Sequence, residues 1–273
     1  MNDLQPIKNI LACPSCLGDL KFNLQIIECL NCKRVFPVRD TIPQFSIFQN
    51  NAAAKNEAGE IPVNDYEQRY MDFEKARNYN LKYEQKPLKR LSTMREYQIL
   101  KRIIGQQRHC GTMLEIPSGG GRISSRLTDA TDLLIEADIG LGQVLYGMAQ
   151  KKIKIPQKWM TASAFYIPLR DNSVDVVVCI RLSHHLPTYK QREDLLVELL
   201  RVARQYVVMT FFDYHSIKNI LRRLRNSKSK LAMTLSQVSS IAATHGAKLV
   251  ACPRLSIVGS GHRYALMVKT QSF

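Results

Sequence analysis

The sequence predicts an α/β protein, a doubly wound and mostly parallel sheet behind a small β-rich module and a helical linking region. Three observations predict it. From residue 113 onward, short apolar runs alternate with amphipathic helical stretches. A glycine-rich turn directly follows the first of those runs. Four cysteines fall early in the chain as two C-x2-C pairs.

Composition sets the outer bounds. At 273 residues, 45% of them hydrophobic, the chain is long enough for two unequal domains with an ordinary core. It contains no run of about eighteen apolar residues, so a transmembrane helix is not expected. Its start, Met1-Asn2-Asp3-Leu4-Gln5-Pro6, lacks the basic-then-apolar layout of a secretory signal, and a cytoplasmic protein is expected. Lys and Arg number 39 against 23 Asp and Glu, a net charge of +16. Such an excess favours a polyanionic partner, with RNA first and an anionic lipid or glycolipid second. The plain alternative is charge that serves solubility.

The first segment, residues 1–48, carries short apolar runs broken by turns, as small strands would. Cys13-Pro14-Ser15-Cys16 and Cys29-Leu30-Asn31-Cys32 are separated by twelve residues. Each pair makes a knuckle whose thiolates converge, and two knuckles supply a tetrahedral set for zinc. Four sulfur ligands leave no place for water, so the site is expected to be structural. A redox pair or a metal-free ribbon is the alternative. The other three cysteines, Cys110, Cys179 and Cys252, lie in apolar surroundings as reduced core residues would. Around the knuckles, Leu11-Ala12-Cys13-Pro14, Gly18, Leu20 and Phe36-Pro37-Val38, with Asp40 and Ile42-Pro43, resemble the small zinc-ribbon proteins that activate methyltransferase partners. Ribosomal-RNA guanine methyltransferases similarly carry a zinc module ahead of their catalytic domain.

Residues 49–108 form the second segment. Its first part, 49–62, has almost no large apolar residue and reads as a linker. Helical spacing then places Tyr66, Tyr70, Phe73 and Arg77 on one stripe and Leu91, Met94, Ile99 and Ile103 on another, with Pro87 dividing two helices. Tyr66, Tyr70, Tyr79 and Tyr83 are candidates to close over a ligand. Aromatic residues at that spacing equally make core.

The third segment, 109–273, alternates. Strands are expected at 113–116, 133–137, 174–180, 206–212, 248–255 and 264–269, and helices at 122–131, 142–152, 191–204 and 236–245. In such a sheet, ligands bind at the carboxyl ends of strands. Glu115-Ile116-Pro117-Ser118-Gly119-Gly120-Gly121 sits there, where the backbone must turn sharply and pass close to a ligand. Asp138 ends the next strand, where a carboxylate can accept from both ribose hydroxyls or cap a helix. Downstream come Ala162-Ser163-Ala164-Phe165, the run Ile167-Pro168-Leu169 with Asp171-Asn172-Ser173-Val174-Asp175, and Cys179-Ile180-Arg181-Leu182-Ser183-His184-His185-Leu186.

In this order these motifs resemble class I S-adenosylmethionine-dependent methyltransferases, over residues 110–270. The resemblance implies a Rossmann-like sheet of seven strands and an S-adenosylmethionine cofactor. It places Glu115 near the methionine amino group, Pro117, Gly119 and Gly121 under the cofactor backbone, and Asp138 with Ile139 at the ribose. Ser163, Ala164 and Phe165 would line the adenine, with Arg181 nearby. His184 and His185, with Arg181 beside them, are the candidates to touch the acceptor; packing is their alternative role. Cys179 is a core residue rather than a nucleophile on this reading. The chain departs from the family pattern at Pro117, which replaces a glycine, and at Ser163, which replaces an acid. It also lacks the Asn-Pro-Pro-Tyr signature of base-amine methylation. The glycine turn differs from G-x-G-x-x-G, which argues against a nicotinamide enzyme. After the strand expected at 206–212, Lys218, Arg222, Arg223, Arg225, Lys228 and Lys230 flank the apolar stripe Ile217, Ile220, Leu221 and Leu224. That pattern fits a basic amphipathic helix for phosphates or anionic headgroups, or a solvated face.

Overall fold

The structure, a computed structural model, describes residues 4–46, 71–107, 109–150, 153–225 and 232–270. The expected linker at 49–62, Tyr66, Tyr70, Lys228 and Lys230 lie outside them.

The amino-terminal ribbon is a four-stranded antiparallel sheet: β1 (Leu20–Phe22), β2 (Ile26–Cys29), β3 (Val35–Arg39) and β4 (Ile42–Pro43). Its two cysteine knuckles are built alike. Leu17 N donates to Cys13 O at 2.8 Å and Lys33 N to Cys29 O at 3.1 Å. Leu17 (φ 56°) and Lys33 (φ 60°) take the left-handed conformation that turns the chain after each pair. Asp40 and Thr41, both at positive φ, make the two-residue hairpin between β3 and β4.

Two helices follow, α1 (Phe73–Gln85) and α2 (Pro87–Gly105), with Pro87 at the first helical position where its missing N–H costs nothing. The buried face of α2 is Thr93, Glu96, Tyr97, Leu100, Ile103 and Ile104, whereas Leu91 and Met94 are exposed. The expected stripe was therefore out of phase at its start. The buried acid Glu96 occupies a place that periodicity assigns to an apolar residue.

The main sheet has the strand order β10-β11-β9-β8-β5-β6-β7. Its members are β5 (Cys110–Glu115), β6 (Thr131–Asp138), β7 (Gln157–Thr161), β8 (Val174–Cys179), β9 (Ala203–Phe212), β10 (Ala247–Ala251) and β11 (His262–Lys269). Strands β5 to β9 pair in parallel, and β11 runs antiparallel to both β9 and β10. All six residues of β8 are buried; five are apolar, and the sixth, Asp175, is paired with Arg204. Alternate residues feed the two faces. Leu114, Ile135, Val177 and Val207 join a core with helices α4 (Tyr189–Val202) and α6 (Leu235–Thr244); Met113, Leu134, Val176 and Val208 join another with α2. The other helices are α3 (Leu141–Gln150) and α5 (Ile217–Leu224).

Two expectations need correction. The helix expected at 122–131 is a pair of 3-10 turns, Ser124–Arg126 and Thr128–Ala130. Glu115 captures the Ser124 amide at 2.9 Å and Glu136 accepts from the Ser124 hydroxyl, so side chains hold the groups that would start a helix. Strand β7 was missed because its five residues, Gln157-Lys158-Trp159-Met160-Thr161, are polar at three places. It forms at the sheet edge, where the ribbon covers it: Phe45 N donates to Thr161 O at 2.9 Å and Ser46 Oγ to Thr161 Oγ1 at 2.8 Å.

The ribbon and the sheet share one core. Leu4, Ile7, Leu11, Ile27, Phe36 and Phe45 pack in the same cluster as Leu114, Ala162 and Leu169. Backbone bonds from Ala12 N to Pro168 O (3.0 Å) and from Arg170 N to Ile10 O (2.9 Å), with an Arg170–Asp19 ion pair, tie the ribbon to residues 168–170.

Candidate functional site

The chain reverses its winding at β5, which has β6 on one side and β8 on the other. A crevice opens at the carboxyl ends of these three strands, the place where open α/β sheets bind ligands. The bend after β5 and the end of β6 meet directly there. Gly119 N donates to Asp138 Oδ2 at 2.9 Å, and Gly140 N donates to Asp138 Oδ1 at 2.9 Å. Asp138 thus joins the glycine turn to the chain entering α3, so it serves the local turn and faces the crevice at once. Ile116–Pro117 is a cis peptide, and Gly119, Gly120 and Gly121 all have positive φ. A Cβ added at Gly119 would meet nothing within 4 Å, so the backbone there borders open space.

This crevice has a volume of about 160 Å³. Of the residues expected at a cofactor, Glu115, Pro117, Gly119, Asp138, Ile139, Ser163, Ala164, Phe165 and Arg181 line it, and His185 stands at its wall with Leu186 and Pro187. Gly121 does not. It borders a second hollow of about 500 Å³ behind the glycine turn, together with Gly120, Tyr83, Arg90 and Trp159. Tyr79 lines the first cavity and Tyr83 the second.

Three carboxylates stand side by side at the strand ends. Burial pushes Glu115 up to about 7 and Asp138 up to about 6; it raises Glu136 too, with Glu115 adding to the effect. Glu115 Oε1 and Ser118 Oγ are buried with no hydrogen-bond partner. An unsatisfied carboxylate oxygen at a cavity wall is ready for a cationic donor. The cavity fits S-adenosylmethionine on these grounds: an orphaned acceptor for an ammonium group, a carboxylate with free lone pairs for hydroxyls, and an unobstructed turn. Ser163 is less open than the sequence suggests, because its hydroxyl accepts from Phe165 N at 3.2 Å.

Arg181 is engaged elsewhere. Its Nε and Nη2 donate to Glu96 at 3.1 and 3.2 Å, Arg122 Nη1 donates to Glu96 at 3.1 Å, and Tyr264 OH donates at 2.7 Å. Burial would raise the Glu96 pKa, but Arg181 and Arg122 outweigh it and hold the carboxyl below its ordinary value. This cluster pins α2 to the loop after β8 and to β11. Replacing Glu96 by Ala leaves two half-buried guanidinium groups without their anion and is expected to cost about 3–5 kcal/mol. Urea denaturation would read that loss, and a cost below about 1 kcal/mol would contradict the network's role.

His184 and His185 share the 3-10 turn Ser183–His185, their ring centroids 4.1 Å apart. His185 is exposed, while His184 turns inward against Phe212 (4.7 Å) and His262 (5.0 Å). His262 Nδ1 lies 3.0 Å from Ser260 Oγ. Sequence reasoning missed Glu96 and His262, which contact Arg181 and His184 from a distant helix and from the last strand. Cys179 is fully buried and burial raises its pKa far above the thiol range, consistent with a core residue. Cys110 is buried as well, whereas Cys252 is only half-buried.

In the ribbon, the sulfur atoms of Cys13, Cys16, Cys29 and Cys32 all lie within 4.8 Å of one another. Cys13 and Cys32 are 3.6 Å apart and Cys16 and Cys29 3.5 Å. A tetrahedron with zinc–sulfur bonds of about 2.3 Å has edges of about 3.8 Å, so these thiols match a zinc cage.

Comparison with known proteins agrees with this geometry. Residues 114–210 match the family model described as methyltransferase domain, and residues 8–40 match the one described as Trm112p-like protein. Magnesium protoporphyrin IX methyltransferase from Synechocystis, solved with bound SAH, is similar in fold at a TM-score of 0.62. It is 14% identical, and the match covers 76% of this chain and 100% of that one. The complex between the Haloferax volcanii Trm112 methyltransferase activator and a methyltransferase is similar at 0.53 and 11% identity, over 66% of this chain and 91% of that one. The N-methyltransferase NodS from Bradyrhizobium japonicum reaches 0.53 at 13% identity, over 70% and 91%. No curated protein sequence matches the chain. Residues 114–210 thus match a methyltransferase domain, and the sheet around them has the fold of the methyltransferases just named. The particular chain joins that domain to a Trm112p-like zinc ribbon in one polypeptide.

Proposed function

We propose that this protein transfers the methyl group of S-adenosylmethionine to an anionic acceptor presented at the mouth beside His185, and that the acceptor belongs to a lipid or glycolipid. The observation that carries the cofactor half is the meeting of the glycine turn and Asp138 at one cavity wall. When bound, the cofactor supplies an already activated methyl group on a sulfonium centre. The protein's task is to hold, align and exclude water. In this reading Glu115 accepts from the methionine ammonium through its orphaned oxygen, and Asp138 accepts from the ribose hydroxyls. Ala164 and Phe165 cover the adenine, and His185 receives a proton from the acceptor where one must leave. His184 positions His185 by ring contact. We further propose that the divisions near residues 48 and 108 separate roles rather than folding units, a view supported by the core shared across the first of them.

The acceptor mouth is bordered by Leu182, Leu186 and Pro187, an apolar rim that suits a lipid-borne or small organic group. RNA is the second reading, favoured by the net charge of +16. Transfer of labelled methyl from S-adenosylmethionine into fractionated cell lipid and RNA tests the choice. Label in RNA alone would reverse it. The variant His185→Ala is expected to lower kcat by roughly 100-fold with unchanged cofactor affinity, and His184→Ala by less. Equal kcat in His185→Ala and the parent would remove the histidine from the chemistry.

A further inference from the structure

Helix α5 is turned the opposite way from an ordinary surface helix. Ile217, Ile220, Leu221 and Leu224 fall at i, i+3, i+4 and i+7, one continuous apolar stripe. Such a stripe normally faces the core. Here all four side chains are exposed, Leu224 by 76%. The side that meets the protein is polar. Asn219 is buried, and its amide donates to Asp213 O at 2.8 Å. Arg223 Nη1 donates to Tyr214 O at 2.9 Å, with its guanidinium 4.0 Å over the Tyr214 ring. Lys218 Nζ donates to Gly259 O at 3.1 Å and so ties the helix to the loop between β10 and β11. At the tip of that loop Ile257 and Val258 are exposed as well, each by 65%. Six aliphatic side chains on two tethered elements are therefore exposed, with Arg222 and Arg225 on the same helix and Lys218 and Arg223 serving as its tethers.

The occupant must satisfy both sets. RNA phosphates would pair with the cations and leave the aliphatic stripe in water. An apolar protein groove would bury the stripe and would have to desolvate the cations beside it. An anionic bilayer surface serves both at once, with cations among the headgroups and aliphatic tips at the acyl boundary. We infer that α5 and the loop carrying Ile257 and Val258 form a docking face for an anionic lipid surface. The face follows β9 directly through Asp213–Ser216, and Phe212 at the end of β9 packs on His184 and His262. Docking there brings the membrane to the acceptor side of the crevice. That last step rests on the functional reading above; the docking itself does not.

Sedimentation of the full chain with vesicles of phosphatidylcholine, with and without phosphatidylglycerol, tests the inference. Binding is expected only when phosphatidylglycerol is present. The double variant Leu221→Ser, Leu224→Ser keeps every charge and changes side chains that are 43% and 76% exposed, so its thermal stability is expected to fall only slightly while vesicle affinity falls about tenfold or more. Failure to bind phosphatidylglycerol vesicles would overturn the proposal, as would equal binding by the double variant. A dimer of the parent chain that this variant dissociates would assign the stripe to a second copy and overturn it too. S-adenosylmethionine calorimetry on the same samples separates outcomes. Cofactor binding without vesicle binding removes the docking face alone, and vesicle binding without cofactor binding removes the enzyme reading alone.

Discussion

Asp138→Ala is expected to weaken S-adenosylmethionine binding by about 100- to 1000-fold, the largest single-residue effect in the crevice. Two losses combine. The carboxylate would accept charge-assisted hydrogen bonds from the ribose hydroxyls, each worth roughly 1.5–3 kcal/mol. It also holds Gly119 N and Gly140 N at 2.9 Å, so its removal frees the glycine turn and the entrance to α3 from one another. Asp138→Asn keeps the shape but turns an NH2 group toward one of those amides, so it is expected to recover only part of the affinity. Calorimetry reads both variants. A dissociation constant for Asp138→Ala within about threefold of the parent would end the assignment of this cavity as the cofactor site.

The same carboxylates set a pH dependence. Burial holds Asp138 at about 6 and Glu115 at about 7, above their values in an unfolded chain. The folded, cofactor-free protein therefore favours their neutral forms and loses stability as pH rises from near 4 through about 7, a loss that is complete above that value. A ligand that donates to both groups restores the charged forms. Cofactor affinity is thus expected to rise through pH 6 to 7, and the thermal shift produced by cofactor to be larger at pH 8 than at pH 5. A thermal shift that shrinks over this range would show that Glu115 and Asp138 do not meet cationic or hydroxyl donors.

How far the sequence disclosed these features depended on range. The parallel core strands were legible because burial on both faces leaves a mostly apolar run, as in residues 176–179. The cysteine cage was legible because four like ligands at fixed spacing have few other uses. Two of the misreadings share one physical cause: a side chain supplied a satisfaction that local patterning cannot register. Glu96 sits where an apolar residue is expected because Arg181, Arg122 and Tyr264 come from remote elements to neutralise it. Residues 122–131 look helical, but Glu115 and Glu136 hold Ser124 in a turn. Gly121 belongs by spacing to a ligand turn, yet a Cβ there would meet Trp159 at 3.2 Å, so its glycine serves packing behind the crevice. In α5 the periodicity holds, but the stripe is exposed because polar contacts of Asn219 and Arg223 seat the opposite side of the helix.

Removing zinc is expected to unfold more than the ribbon. A ribbon of this size has too little core to stand without its metal, and structural zinc contributes roughly 10 kcal/mol or more to such modules. Cys13 and Cys29 lie fully buried in the cluster that also contains Leu114, Ala162 and Leu169 of the methyltransferase domain. Loosening the cage thus exposes the far side of the crevice wall. Ala12 N to Pro168 O and Arg170 N to Ile10 O would be lost, and with them the brace on residues 162–165 that line the cavity. If half of the metal's contribution is felt by the whole fold, chelation lowers the melting temperature by about 10–20 °C. Cys13→Ser is expected to do the same without chelator and to weaken cofactor binding in whatever folded protein remains. The mechanism makes a sharper demand on order: cofactor affinity must fall in step with zinc content, measured on one preparation titrated with chelator. Full zinc loss with an unchanged melting temperature and unchanged cofactor affinity would show that the ribbon only rests against the sheet.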